Sequence, residues 1–265
     1  MNRIDKKFNE LKREKKKAFI AYICAGDPDI DITKTLVLEL DKAGVDIIEL
    51  GVPFSDPLAD GPTIQRASQR ALKRKITIAD ILSLVKSLRG MTDIPLILMT
   101  YYNPVHYYGV KKFVKDAKAS GVDGVIIPDL IPEEADELIS VSRPLDFSTI
   151  FLAAPTSSKE RIKLIAKKSR GFIYYVSLTG VTGARKSLPE DVRAHVKEIK
   201  KITDKPICIG FGVSSPKQIR ELAKFSDGVI VGSAIISKIE NLLNNRSLIT
   251  KNVAKYVKSL LKGLE

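Results

Sequence analysis

The 265-residue sequence has no tryptophan, two cysteines and two histidines. Cys24 and Cys208 lie far apart, each beside a short apolar run. That excludes a disulfide scaffold and reads as reduced, buried thiols. With only His106 and His195 available, neither a His/Cys metal site nor a Cys–His nucleophile is expected. No apolar run approaches the roughly 18–20 residues of a membrane span. The nearest decoy, the short run after Lys15, Lys16 and Lys17, follows Asp5, Glu10 and Glu14 and precedes no small-residue cleavage site. It reads as a buried first strand rather than a secretion signal. Together these absences predict a cytoplasmic protein. No stretch is a low-complexity linker, and one domain over residues 1–265 is expected.

Hydrophobic residues make up 44% of the chain and charged residues 28%, a globular balance that excludes wholesale disorder. The formal net charge is +13, which invites a nucleic-acid reading. Its distribution argues against one. Residues 1–17 hold eight Lys or Arg against three acids, and residues 246–265 hold five against one. No basic stripe interleaved with aromatics and no zinc-finger or RNP-type motif is present.

Short apolar runs recur at 19–23, 46–50, 96–99, 124–127, 149–152, 172–176, 206–210 and 228–231. They are rich in Ile, Val and Tyr and do not alternate, as expected of strands covered on both faces. Segments of helical spacing lie between them, at 33–43, 78–88, 110–120, 132–141, 159–167, 188–202 and 216–223, with a further candidate at 233–243. Eight such units in a chain of this length predict a (β/α)8 barrel, the TIM barrel. A basic helical lead-in over 1–17 and a C-terminal helix within 247–264 flank it. An open doubly wound sheet is the alternative, but no G-x-G-x-x-G follows the first strand.

Glu49 interrupts an apolar strand near its C-terminal end. Desolvation there raises a carboxyl pKa and suits general acid–base work; a structural ion pair is the plainer reading. The loop that follows, 51–62, carries Asp56 and Asp60 among two glycines and three prolines. A carboxylate on so shaped a loop can stabilise a developing cation or merely form a turn. Glycine-containing loops follow the last three strands: 179–185 with Thr182 and Gly183, 210–216 with Gly212, and 232–234 with Gly232 and Ser233. Barrel enzymes hold phosphate on such loops, through backbone N–H groups and a short helix. Tyr22, Tyr101, Tyr102 and Phe211 crowd strand ends, and Tyr174 and Tyr175 lie in the sixth strand. They predict core packing or a flat apolar pocket beside the phosphate.

Six stretches then add a resemblance. ELGVPFSDPLADGPTIQ (49–65), MTYYNPV (99–105), GVDGVIIPDLIPEE (121–134), FLAAPTSSK (151–159), GVTGAR (180–185) and GFGVSSP (210–216) together resemble the tryptophan synthase alpha subunit family, in order, from about residue 18 to 235. Ile131 departs from the family pattern, and Tyr22 and Thr100 sit at variable positions. The resemblance implies a barrel lyase that cleaves indole-3-glycerol phosphate to indole and glyceraldehyde 3-phosphate by retro-aldol chemistry. It implies Glu49 as general acid/base, Asp60 as acceptor of the indole N–H, and Tyr174 near the reacting centre. It implies substrate contacts at Tyr22, Tyr101, Thr182, Gly183, Phe211, Gly212, Gly232 and Ser233, with no metal or cofactor in this chain. It implies a partner beta subunit carrying pyridoxal phosphate (PLP) in an alpha2beta2 assembly, contacted through Pro53, Asp56, Pro57, Asn103, Tyr107 and Asp129. Rival readings are a phosphosugar isomerase or indoleglycerol-phosphate-forming barrel, which shares the glycine loops, and a basic nucleic-acid binder.

Overall fold

The computed structural model describes residues 1–176, 190–210 and 212–265, and only the backbone of Glu190 and Asp191. Nine strands are present among these residues: β1 (Ala18–Cys24), β2 (Ile47–Gly51), β3 (Leu96–Met99), β4 (Gly124–Ile126), β5 (Ser148–Ile150), β6 (Leu152–Ala153), β7 (Ile173–Val176), β8 (Ile207–Gly210) and β9 (Gly228–Val231). All pair in parallel, in the order β5-β4-β3-β2-β1-β9-β8-β7-β6. The fifth expected strand, 149–152, is interrupted at Phe151. The N–H of that residue goes to Ser169 Oγ at 3.3 Å, so β5 pairs with β4 and β6 with β7. Counted as one interrupted strand, they give the eight-stranded (β/α)8 barrel.

Alternate residues of each strand point into the barrel. Ile20, Ile47, Ile97, Ile126, Ile150 and Ile230 form one buried inner cluster with Ala18, Phe172 and Cys208. The intervening positions, among them Ile48, Leu50, Leu96, Leu98 and Val229, pack outward against the helices. Branched side chains on both faces make these strands non-alternating in sequence.

The basic lead-in is the helix Arg3–Arg13. Its Ile4, Phe8 and Leu11 join the inner cluster, and Phe8 meets Phe172 with ring centroids 5.8 Å apart. Asn2 caps the helix through the Asp5 N–H and donates to Ser148 Oγ at 2.7 Å and the Asp123 carbonyl at 3.2 Å. Those acceptors precede or begin β4 and β5, so the helix stoppers the N-terminal mouth of the barrel. The chain ends on the helix Ile249–Leu261.

The helices Ile78–Leu88, Val110–Ser120 and Pro216–Ala223 occupy the expected spans. The 132–141 segment divides into a 3-10 turn, Pro132–Glu134, and a helix, Asp136–Ser142. The 233–243 helix stops at Glu240. Of the 188–202 segment, Glu190–Ile202 is helical, and 188–189 lie outside the described residues. Two further helices, Pro62–Leu72 and Tyr102–Tyr108, follow the loops after β2 and β3. No helix among the described residues is long and apolar enough to cross a membrane.

Candidate active site

Glu49 lies on the inner face of β2, in register with Tyr22 of β1 and Ile97 of β3. It is fully buried, and among the described residues neither carboxyl oxygen has a hydrogen-bond partner. Burial alone pushes its pKa from 4.5 up to about 8. An unpaired buried carboxylate is costly, so the group is held as the neutral acid near neutral pH. The structural ion-pair reading of Glu49 therefore fails among the described residues.

Asp60 ends a turn in which its N–H donates to the Pro57 carbonyl at 3.0 Å. Burial raises its pKa to about 6, against the lowering effect of a hydrogen bond from Tyr101. The same Tyr101 hydroxyl accepts the Ala59 N–H at 3.0 Å, and its ring lies 5.3 Å from Phe54. Tyr101 thus ties both ends of the loop tip to the start of the Tyr102–Tyr108 helix. Gln65, one turn into the Pro62–Leu72 helix, donates to the Asp60 carbonyl at 2.9 Å.

Two glycines shape the inner wall. A Cβ on Gly51 would collide with the Tyr22 hydroxyl, and one on Gly210 would come 2.6 Å from the Tyr174 hydroxyl. Each tyrosine leans across the neighbouring strand into space that only glycine leaves open. Burial raises both phenol pKa values well above 10, and Glu49 and Asp60 add to the shift in each case. The four groups therefore share one end of the barrel, the C-terminal end of its strands.

At β9 the chain turns through Gly232 into the helix Ser233–Glu240. A Cβ on Gly232 would stand 3.3 Å from Tyr22, so the N-terminus of this helix faces the same tyrosine. Such a terminus favours an anion. Gly212, after β8, has φ +34 and open space where a side chain would be. Thr182, Gly183 and Phe211 lie outside the described residues. Glu49, Asp60, Tyr174, Tyr22, Tyr101, Gly232 and Ser233 are thus placed at one end of the barrel. No cluster of three potential metal-binding side chains occurs among the described residues.

The residues expected at a partner surface differ in exposure. Asp56, Asn103, Tyr107 and Asp129 are exposed, Pro57 is half-buried and Pro53 is buried. Asn103 and Tyr107 stand on a helix rather than a loop, and the Asp129 carboxylate accepts the Tyr102 N–H at the start of that helix. Sequence reasoning passed over Arg66, Arg70 and Asp27, which form an ion-pair network beside the site. The signal available was the i, i+4 spacing of two arginines just after the Asp60 loop.

A family model for the tryptophan synthase alpha chain matches residues 8–264. The chain is 50% identical to the tryptophan synthase alpha chain of Geotalea daltonii, covering all of this chain and 99% of that one. It is 51% identical to that of Caldanaerobacter subterraneus, with both chains covered in full. Among solved structures, tryptophan synthase subunit alpha from Legionella pneumophila superposes with a TM-score of 0.93 at 38% identity, covering all of this chain and 98% of that one. A chain of the tryptophan synthase complex from Pyrococcus furiosus does so at 0.85 and 39%, over 93% of this chain and 98% of that one. The partnerless Glu49, the tethered Asp60 loop and the full-length matches agree, and the chain belongs to the tryptophan synthase alpha chain family.

Proposed function

We propose that Glu49 and Asp60 are the acid–base pair with which this chain performs the family's reaction, the retro-aldol cleavage of indole-3-glycerol phosphate to indole and glyceraldehyde 3-phosphate. The observation that supports this most is the buried Glu49 carboxyl, which has no partner among the described residues. Held as the acid, it protonates indole C3, and the positive charge moves to the ring nitrogen. Asp60 accepts the ring N–H and stabilises that charge as it develops. The resulting Glu49 carboxylate takes the proton of the glycerol hydroxyl next to the ring. The carbon–carbon bond then breaks, its electrons return to the indole ring, and the new carbonyl leaves as the aldehyde. Tyr174 and Tyr22 pack the flat ring, and Gly212, Gly232 and Ser233 hold the phosphate with Gly183. Thr182 and Phe211 complete the substrate contacts. Remote phosphate binding keeps the reacting carbon in register with Glu49. The step needs no metal or cofactor from this chain.

We place a PLP-containing beta subunit on the C-terminal face, in an alpha2beta2 assembly that receives the indole. Leu58 at 93% and Ile131 at 43% exposure on loops, and Tyr107 at 94% on the Tyr102–Tyr108 helix, carry apolar surface on the three segments concerned, which favours a protein partner over solvent. Asp56, Pro57, Asn103 and Asp129 frame that surface, and Pro53 is buried beneath it.

Indole release by wild type and Glu49→Gln, with and without a beta subunit, tests both statements. Glu49→Gln should lose at least about a thousandfold in kcat while binding glycerol 3-phosphate normally, and the beta subunit should raise wild-type kcat. An active Glu49→Gln variant would contradict the mechanism. Unchanged rates on adding the beta subunit would contradict the partner assignment.

A further inference from the structure

Two helices carry the ends of the site. Pro62–Leu72 starts directly after Asp60, and Ser233–Glu240 starts at the phosphate side. Their far ends are joined. Arg70 Nε and Nη2 bind the two oxygens of Asp27 at 2.7 and 2.9 Å, and Arg70 Nη1 binds Glu240 at 2.9 Å. Arg66, one turn earlier on the same face, binds both oxygens of Glu240 at 2.7 and 2.8 Å. Asp27, in the loop after β1, is fully buried, and Arg70 is largely so.

This arrangement is a poor way to gain stability alone. Replacing a buried ion pair by well-packed apolar side chains of similar volume is often neutral or stabilising. Glu240 also ends its helix, where the dipole disfavours an acid; two guanidinium groups hold its pKa down to about 2 all the same. What the arrangement does supply is fixed geometry. A guanidinium fork bound at both prongs sets angle as well as distance. Arg70 uses one fork on the β1 loop and its remaining nitrogen on the phosphate-side helix. At roughly 1.5 Å per residue, Arg70 lies about 12 Å down its helix from Pro62, and Glu240 about 10 Å down its own from Ser233. Gln65, between Arg70 and the loop, holds the Asp60 carbonyl.

We propose that Arg70 is a positioning residue, which with Asp27, Arg66 and Glu240 locks the Asp60 loop and the phosphate-side helix into one rigid frame. The proposal rests on the assignment of Asp60 and Ser233 above. Phosphate binding at one helix start then registers Asp60 at the other. Retro-aldol cleavage needs both ends of the substrate held at once, so loosening the frame costs turnover more than folding.

The test uses full-length Arg70→Lys and Glu240→Gln. Arg70→Lys keeps the charge and loses the fork. Glu240→Gln removes only the half-exposed partner and leaves Asp27 paired, so it should fold even where Arg70→Lys does not. Readouts are kcat and KM for indole-3-glycerol phosphate and the dissociation constant of glycerol 3-phosphate, on protein with wild-type circular dichroism. Arg70→Lys should lower kcat about tenfold and weaken glycerol 3-phosphate about threefold, with Glu240→Gln smaller in the same direction. In an Asp60→Asn background the kcat loss from either change should largely vanish, because both act through the same carboxylate. Folded variants with kcat and phosphate affinity within twofold of an active wild type would overturn the frame. So would losses that add in full to that of Asp60→Asn. A wild-type chain that releases no indole would instead sink the lyase mechanism, and this proposal with it.

Discussion

Glu49 is a residue whose function opposes its surroundings. Its pKa is about 8 in the folded chain against an ordinary 4.5. As pH rises through 4.5 the unfolded chain ionises this group and the folded chain does not. The folded state then binds more protons than the unfolded one, and stability falls with pH until about 8, where Glu49 ionises in the fold as well. Below 4.5 both states are neutral and the penalty disappears. Glu49→Gln removes that slope. Between pH 5 and pH 8.5, wild type should therefore lose about 4 kcal/mol more than Glu49→Gln in urea unfolding; parallel pH curves for the two proteins would show that Glu49 is not buried as an acid. The carboxylate was legible in the sequence because it breaks an otherwise apolar strand. The role of Tyr101 was not: an aromatic at a strand end reads as pocket lining, and only the fold brings its hydroxyl to both Ala59 and Asp60. The clefts left by Gly51 and Gly210 escaped for the same reason, since a glycine in a strand does not say which side chain crosses it.

At the scale of elements, the strands were readable and two of the helices were not. Strands covered on both faces leave short branched runs that sequence alone exposes, and all but one appear within a residue or two of their expected spans. Phe151 breaks the exception because its N–H takes a side-chain partner, a long-range choice with no local signal. Tyr102–Tyr108 escaped because seven residues with an internal proline and four aromatic rings carry no helical period. The lead-in was expected to be a basic helix; its other face was not read. Ile4, Phe8 and Leu11 close the barrel floor, so this helix belongs to the inner core rather than to a charged tail. Phe8→Ala should cost about 3 kcal/mol in urea unfolding and leave KM for the substrate unchanged, because floor and site occupy opposite ends of the strands. A loss below about 1 kcal/mol would mean that the helix merely rests on the barrel.

Over the whole molecule, the net +5 that residues 1–17 contribute to the +13 charge takes on a location. The charge-rich lead-in lies under the N-terminal mouth, while Glu49, Asp60 and the Ser233 helix stand at the other. The seven residues of β1 separate them by about 23 Å at roughly 3.3 Å per residue. Physiological salt screens exposed charges beyond about 8 Å. Charges on the floor therefore contribute little to the field that a phosphate substrate meets at the catalytic mouth, whatever they add to the net charge. Lys6, Lys12 and Lys15 are exposed on or next to that helix. Changing all three to glutamine lowers the net charge by three units without touching the buried face. The expected result is a kcat/KM for indole-3-glycerol phosphate within twofold of wild type at both 50 and 300 mM salt, with the same salt dependence. A triple variant whose kcat/KM falls severalfold at low salt and recovers no difference at high salt would show the opposite: that the field of the floor reaches the mouth and steers the anion in.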